Sequence, residues 1–340
     1  MKHEINLNNI DIHTDLAIDV IDKISSLDGV KQVIKNIDGV GITDVKLDKK
    51  NSLNKKEGNY ITIEFDDVTD TTNYNKVKDV VKMELNSLMG KMNIKDSDTC
   101  LFIGLGNVKS TPDSLGPKVS KDIIVTKHIY DLGELDSKYR VVSVISPGVS
   151  ATTGIETSDI VDSIVKMVKP NFIIAVDALA SGSVDRVNKT IQMTDTGIHP
   201  GSGIGNARKE ISKDTIGIPV IAIGVPTVVD ASVIVADTIN YMYKHYAFNK
   251  EYSNNPKSKL TFNNIDYLNK NIVINNKDKE DLFGLIGKLN SDEVKILINE
   301  VLNPIGYNLM VTPKEIDFVI DKLSTLISSS VNEILHNICK

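Results

Sequence analysis

The sequence predicts an α/β fold in which a twisted, mostly parallel sheet lies between helices, with N-terminal α+β additions and C-terminal helices. Between residues 99 and 247, short continuous apolar runs bounded by Gly, Pro and Asp alternate with stretches of helical spacing. This alternation is typical of βα units around a parallel sheet. The chain has 340 residues, of which 41% are apolar and 25% charged, as in globular proteins with a large core.

The predicted elements follow in chain order from local patterns. Residues 60–65 alternate like a half-buried strand, and residues 77–89 have helical spacing. Further strands are predicted near residues 99–105, 140–145, 171–177, 189–194 and 218–224. Helices are predicted near residues 114–130, 156–168 and 228–246. The second of these helices follows a capping-box-like start at Thr153-Gly154-Ile155-Glu156, and Pro170 ends it.

Beyond residue 247 the composition changes. Residues 248–281 are rich in Asn, Lys, Asp and Ser and are predicted to form an exposed insertion. Helical patterns return at 282–302 and 312–337, the last opened by Thr312-Pro313-Lys314-Glu315, which has capping-box spacing. Residues 16–340 are thus predicted to be one enlarged α/β domain, with a core at about 99–247, the insertion, and C-terminal helices at 282–337.

Charge and cysteine content exclude several classes of protein. The net charge is −6 and no long Lys/Arg tract occurs, which argues against direct nucleic-acid binding. The N-terminus lacks a secretory pattern, and no run of about 18 apolar residues occurs, so a protein that stays inside the cell and off the membrane is expected. Cys100 and Cys339 are too few for a disulfide framework or a zinc cluster. Neither a metal site nor a cofactor is predicted.

Two apolar runs each lead to an aspartate. Residues 101–105 lead towards Asp113, and residues 172–176 lead directly to Asp177. Ligands bind beyond the carboxyl ends of strands in open α/β sheets, so these side chains can converge. One carboxylate can then take a proton from water while the other carboxyl gives one to a leaving amine. Asp113 and Asp177 are therefore the candidate catalytic pair.

Structural roles for both aspartates remain open at this stage. Asp113 precedes a helical pattern and is a candidate N-cap, and Asp177 is a candidate for binding backbone in a turn. The exit Gly104-Leu105-Gly106-Asn107 admits either a substrate backbone or a phosphate, although Lys109 breaks the dinucleotide fingerprint. Residues 201–206 resemble a phosphate loop without the P-loop spacing. A nucleotide- or phosphate-binding regulatory module therefore stays an alternative.

Several further residues are candidates for substrate binding. Gly106 and Asn107 lie in the strand exit, His199 lies among turn-forming residues, and Arg186 and Arg208 offer charge-assisted hydrogen bonds to acidic side chains. A metal-assisted protease, with Asp113, Asp177 and His199 as ligands, is a second alternative. No G-x-S-x-G elbow occurs, so a serine nucleophile has little support.

Long ordered motifs across the whole chain resemble the germination proteases of spore-forming bacteria. They are Gly104-Leu105-Gly106-Asn107, Thr111-Pro112-Asp113-Ser114-Leu115-Gly116-Pro117, Gly154-Ile155-Glu156-Thr157-Ser158-Asp159, Val176-Asp177-Ala178-Leu179-Ala180, Gly197-Ile198-His199-Pro200-Gly201-Ser202-Gly203, Ile218-Pro219-Val220-Ile221-Ala222-Ile223-Gly224 and Asn308-Leu309-Met310-Val311-Thr312-Pro313-Lys314-Glu315. The chain departs from the family's common pattern at His13, where Arg is frequent, and at Ser114, where Ala is common.

The resemblance implies an atypical aspartic endopeptidase whose catalytic aspartates fall on Asp113 and Asp177. It implies a fold related to the hydrogenase-maturation proteases, a homotetramer, and small acid-soluble spore proteins as substrates in the spore core. It also implies a precursor that is trimmed between Asp15 and Leu16, which makes residues 1–15 a propeptide. Family substrates are cut after an acidic residue followed by an apolar residue and Ala, with another acid close behind. Residues 14–19 resemble such a substrate.

Overall fold

The computed structural model describes residues 15–21, 28–53, 55–201, 209–253, 274–302 and 309–336. The strands in these ranges are β1 (Val30–Ile37), β2 (Val40–Leu47), β3 (Gly58–Glu64), β4 (Cys100–Gly104), β5 (Val142–Ile145), β6 (Phe172–Ser181), β7 (Thr190–Thr194), β8 (Val220–Asp230) and β9 (Met310–Val311). The α-helices are α1 (Ala17–Ile21), α2 (Thr71–Lys91), α3 (Leu115–Lys121), α4 (Lys127–Asp131), α5 (Ser150–Thr153), α6 (Thr157–Val168), α7 (Lys213–Ile216), α8 (Ala231–Ser253), α9 (Asn276–Phe283), α10 (Ser291–Leu302) and α11 (Ile316–His336).

The chain divides into two compact units. The larger, here called the sheet unit, takes its residues from His13–Val228 and Thr312–Lys340. The smaller, here called the helical unit, takes its residues from Met1–Ile12 and Val229–Val311. The assignment of residues 16–340 to one enlarged domain stays a prediction.

The sheet is mixed, with its parallel part where the candidate site was predicted. The strand order is β1-β2-β3-β7-β8-β6-β4-β5. β4 pairs in parallel with both β5 and β6, whereas β1, β2, β3, β7 and β8 pair antiparallel in that order. The predicted α/β sheet flanked by helices is confirmed. The antiparallel part arises because the N-terminal strands join the sheet through β3 on β7.

Two apolar layers cover the faces of the sheet. On one face, Val81 of α2, Val119 of α3 and Ile320 of α11 are fully buried in a single cluster. On the other face, Val161 of α6 packs in a second cluster with Leu16 from the N-terminal segment. Successive residues of β4 and β6 alternate between these clusters. The strands therefore need apolar residues on both sides, which explains the continuous apolar runs.

One predicted helix is divided in two, and two predicted capping motifs are wrong. The predicted helix at 114–130 is a 3-10 turn at Thr111–Asp113, then α3, then α4, because the Thr126 N–H leaves the helix to bond Val142 O of β5 at 3.0 Å. The helix predicted near 156–168 is α6, but Thr153 does not cap it. Thr153 ends the short α5, and Glu156 is at the N-cap position of α6. The Thr312 hydroxyl bonds Thr227 O at 2.9 Å, and α11 begins only at Ile316.

The prediction of an exposed insertion at 248–281 is wrong at both ends of that segment, which are helical in the helical unit. α8 continues to Ser253, and Phe248 is buried. α9 begins at Asn276, where the Asn275 side chain accepts a hydrogen bond from the Asp278 N–H. Apolar burial and this cap therefore make both ends of the segment helical, and residues 254–273 lie outside the described residues. In the described ranges, no helix combines the length and the apolar character needed to cross a bilayer.

Candidate active site

Asp177 lies where β6 extends beyond its neighbour β4. The paired register ends at Gly104 and Val176, and the Leu105 N–H donates to Val176 O at 2.8 Å. β6 was predicted to end at Asp177 but continues to Ser181, so this aspartate is a strand residue rather than a turn residue. Its side chain is buried, and its Oδ1 accepts the Ala178 N–H at 2.9 Å.

Asp113 is the last residue of the 3-10 turn that precedes α3, and hydrogen bonds fix its backbone on both sides. Its N–H donates to Ser110 O at 2.9 Å, and its carbonyl accepts the Asn107 N–H at 2.9 Å. Gly106 has a φ of +112°, and a Cβ there would lie 2.1 Å from Asp113 O. The predicted substrate-binding residues Gly106 and Asn107 therefore contact the Asp113 backbone. The N-cap position of α3 belongs to Ser114, not to Asp113.

The same short segment, Leu105–Gly106, supports both aspartates. Leu105 bonds the residue before Asp177, and Gly106 packs against Asp113. Gly116 of α3 packs directly against the backbone of both strands, β4 and β6. A Cβ at this position would lie 2.2 Å from Leu105 O and 2.5 Å from Val176 O. The structure therefore brings the backbones of the predicted pair to neighbouring positions beyond the carboxyl end of β4.

The N-terminal segment Asp15–Ile21 lies against the end of β6. The Asp15 N–H donates to Ala180 O at 3.3 Å, and the Ala180 N–H donates to Asp15 Oδ2 at 2.9 Å. Leu16 and Ala17 are completely buried. Leu16 packs in the cluster that contains Leu179, on the face of β6 to which strand alternation also assigns Asp177.

A second carboxylate of this segment is held one helical turn further on. Asp19 is buried, its Oδ2 accepts the Gly182 N–H at 2.6 Å, and its Oδ1 forms an ion pair with Arg186. The Arg186 Nε also contacts Glu64 Oε1 at 3.2 Å. Arg186 therefore binds an acidic side chain, as predicted for a substrate, but here the acid belongs to the chain itself.

A cavity of about 330 Å³ opens beside Asp15. Charged and polar side chains from separated parts of the chain line it, including Lys55, Tyr60, His199 and Glu210. Burial lowers the pKa of Lys55, while the negative charges of Asp15 and Asp19 act in the opposite direction. Burial also raises the pKa of Tyr60. The cavity is thus a polar space with a half-buried lysine next to an aspartate.

The remaining predicted site residues are distributed unevenly. His199 lines the cavity, with its Nε2 atom 3.9 Å from Glu210 Oε2. Arg208 and most of the loop 201–206 lie outside the described residues. Among the described His, Cys, Asp and Glu residues, no group of three or more is arranged to hold a metal ion. The alternative ligand set of Asp113, Asp177 and His199 is therefore not assembled.

Gln192 of β7 is a site residue that the sequence did not reveal. Its Oε1 accepts the Ala17 N–H at 2.7 Å, and its Nε2 donates to Asp15 O at 3.3 Å. The side chain therefore bridges the peptide groups on the two sides of Leu16. The available signal was one Gln in the otherwise apolar centre of β7, between Ile191 and Met193. Lys55 was missed as well, because nothing in its local sequence distinguishes it from a surface lysine.

The fold and this arrangement define an α/β protein with two carboxylates beyond the end of a parallel strand, where such sheets bind ligands. A family model described as germination protease matches residues 8–340. The chain is 42% identical to the germination protease of Geobacillus sp. (strain WCH70), over 99% of this chain and 96% of that protein. It is also 42% identical to the germination protease of Priestia megaterium (strain ATCC 12872 / QMB1551), over 99% and 97%. The chain belongs to the germination protease family and is a protease.

Among solved structures, the chain is similar to a NiFe hydrogenase maturation protease, HycI, from Thermococcus kodakarensis KOD1. The TM-score is 0.28 at 15% sequence identity. The match covers 42% of this chain and 80% of that one.

Proposed function

We propose that this chain is an aspartic-type endopeptidase that starts the degradation of small acid-soluble spore proteins during germination. Asp113 and Asp177 are its catalytic residues. The observation that carries the proposal is the joint support of both aspartates by Leu105–Gly106 beyond the end of β4. Membership of the germination protease family supports the proteolytic activity.

The two carboxyl groups divide the proton transfers of peptide hydrolysis. One carboxylate takes a proton from water as the water oxygen bonds to the carbonyl carbon. The carbonyl electron pair moves to the oxygen and forms a tetrahedral intermediate. The second carboxyl group then donates its proton to the nitrogen as the C–N bond breaks, and the carbonyl reforms. The pair must therefore begin each cycle with one proton between them.

The chain is also a precursor that cleaves itself between Asp15 and Leu16, with residues 1–15 as a propeptide. The docking of Asp15 on Ala180 supports this step. Ala180 is three residues beyond Asp177, which corresponds to about 10 Å along the strand. The segment thus lies against the element that carries one of the two catalytic residues.

Assembly and location follow the family. The protease is a homotetramer that acts in the spore core on these spore proteins and needs no cofactor. Light scattering of the purified chain tests the assembly, with a mass of about four times 37.3 kDa expected. A monomer at micromolar concentration would contradict it.

Self-cleavage and cleavage of an acid-soluble spore protein test the proposed function together. The full-length chain is incubated from mildly acidic to neutral pH and followed by intact mass and N-terminal sequencing. We expect a product that begins at Leu16 and then cuts the spore protein after an acidic residue, at the same rate with and without a chelator. A chain that stays full length and leaves the spore protein intact would contradict the proposal.

A further inference from the structure

The Gln192 side chain contacts both peptide groups around the bond at which the chain is proposed to cut itself. Its Oε1 lies 2.7 Å from the Ala17 nitrogen, and its Nε2 lies 3.3 Å from the Asp15 carbonyl oxygen. An N–H can only donate, so the Gln192 oxygen must face Ala17. This orientation turns the Gln192 amide N–H towards the carbonyl of the Asp15–Leu16 bond.

The lengths of the two contacts indicate that the Gln192 amide binds the transition state more strongly than the substrate. The contact to the Ala17 N–H is short and anchors the amide, whereas the contact to the Asp15 carbonyl is at the long end of the hydrogen-bond range. As the carbonyl carbon becomes tetrahedral, its oxygen gains charge and attracts a donor more strongly. A donor held near the oxygen, and not yet tightly bonded to it, therefore stabilises the oxyanion more than the substrate.

The sheet places Gln192 on the same face as Asp177. Its neighbours Ile191 and Met193 point into the cluster on the opposite face, as Val176 does beside Asp177. β8 separates β7 from β6. The strands that carry Gln192 and Asp177 are therefore two strand spacings apart, about 10 Å. Both side chains extend from the same face of the sheet.

A cavity lies beside Gln192, and the missing side chain of Gly224 makes room for Leu179 next to it. Gly224 of β8 pairs with Gln192, and a Cβ at Gly224 would lie 2.3 Å from the Leu179 side chain. Gln192 and Asp15 both line the cavity of about 330 Å³ described above. Gln192 is itself buried, so its amide acts in a poorly solvated site, where a hydrogen bond to a developing charge is strongest.

We propose that Gln192 is the donor that stabilises the oxyanion formed at the scissile carbonyl, first on Asp15 of the chain itself and then on a protein substrate. This role rests on the proposed self-cleavage at Asp15–Leu16. It adds to the two carboxyl groups the third component that peptide hydrolysis requires.

Two substitutions separate this role from simple anchoring of the segment. Gln192→Glu keeps an acceptor for the Ala17 N–H but loses the donor, and Gln192→Met loses both. Gln32→Met makes the same exchange on β1, at the far edge of the sheet. Self-cleavage is timed by intact mass at the highest pH at which the unsubstituted chain cleaves itself, so that Glu is ionised. Hydrogen exchange at the Ala17 amide reports whether the segment stays docked.

We expect Gln192→Glu to slow self-cleavage about 100-fold or more while the Ala17 amide stays protected. Gln192→Met should lose both rate and protection, and Gln32→Met neither. A Gln192→Glu chain that cleaves within about threefold of the unsubstituted rate would overturn the proposal. So would loss of Ala17 protection together with the rate in that chain, which would assign Gln192 to anchoring. Absence of cleavage in the unsubstituted chain would instead contradict the proposed function, and this role with it.

Discussion

Asp113 and Asp177 could be identified from sequence because each follows an apolar run that forms a buried strand. The residues that complete the site could not be identified in this way. Gln192 bonds the Ala17 N–H across 175 positions of the chain, and Ala180 contributes only its backbone to Asp15. Such contacts depend on which strands become neighbours, and a single sequence does not contain that information.

Cys100 is predicted to be chemically inert in the folded protein. It is fully buried in β4, and burial raises the pKa of its thiol to about 12, with only partial opposition from Arg140. At pH 8 about one thiol in 10⁴ is then ionised, and the thiolate is the reactive form. In a Cys339→Ser chain, a disulfide reagent should label Cys100 at least about 100-fold more slowly before unfolding than after it.

The Cys100→Ser chain provides the control, because it retains only Cys339. Rapid stoichiometric labelling of the folded Cys339→Ser chain would contradict the buried position of Cys100.

The contact of α3 with β4 and β6 depends on Gly116. The three atoms nearest to a Cβ at this position are backbone atoms, namely Leu105 N, Leu105 O and Val176 O, all within 2.5 Å. Gly116→Ala must therefore push α3 away from the strands, which should lower the free energy of unfolding by about 1–3 kcal/mol. It should also slow self-cleavage at least about tenfold, because Asp113 directly precedes α3 and moves with it relative to Leu105–Gly106. Urea unfolding and intact mass measure the two effects.

Gly90→Ala in α2 is the matched control. Outside the backbone of its own helix, no atom lies within 4 Å of the Cβ position at Gly90, so alanine should stabilise this helix by about 0.5–1 kcal/mol. Equal stability of the two alanine variants would contradict the close approach at Gly116.

Element boundaries were harder to predict than element types. The strands around the site were found, but two ran longer than predicted, because β6 continues to Ser181 and β8 to Asp230. Capping motifs were misleading where a long-range hydrogen bond competed for the hydroxyl. The Thr312 hydroxyl bonds Thr227 rather than a helix terminus. Local sequence patterns indicate the conformational preference of a segment, whereas tertiary hydrogen bonds determine where the helix or strand ends.

The sheet unit depends on the last turn of α11, where His336 is completely buried. Burial lowers the pKa of His336, a hydrogen bond to Ile124 O acts in the opposite direction, and Arg140 lowers it further. The unfolded chain therefore takes up a proton near pH 6.5, while the folded chain does so only at lower pH. The stability from this residue is complete above pH 6.5 and decreases as the pH falls below it.

His336→Gln should remove this part of the pH dependence. Between pH 7.5 and 5, the unsubstituted chain should lose more free energy of unfolding than the His336→Gln chain, by at most about 1.4 kcal/mol per pH unit below 6.5. Urea unfolding at both pH values measures the difference. His128→Gln, at an exposed position of α4, should behave like the unsubstituted chain. Parallel losses in all three chains would contradict the role of His336.

The fold class could be predicted because both faces of the sheet are covered, which requires continuous apolar strands between helices. The mixed strand directions could not, because β3 joins the sheet beside β7, about 130 residues later in the chain. The two proposed catalytic aspartates belong to the parallel part, because they lie beyond the end of its central strand, β4. The N-terminal segment contacts both β6 of this part and Gln192 of the antiparallel strand β7.

The most direct measurement of the central claim is the rate of cleavage at Asp15–Leu16 and in a spore protein by Asp113→Asn and Asp177→Asn chains. Each change keeps the shape of the side chain and removes its proton chemistry. We expect each rate to fall by about 10²–10⁴, with unfolding midpoints close to that of the unsubstituted chain. Asp131→Asn, which alters only an exposed ion pair on α4, should keep the full rate. A rate within about tenfold of the unsubstituted chain in either active-site variant would contradict the catalytic pair.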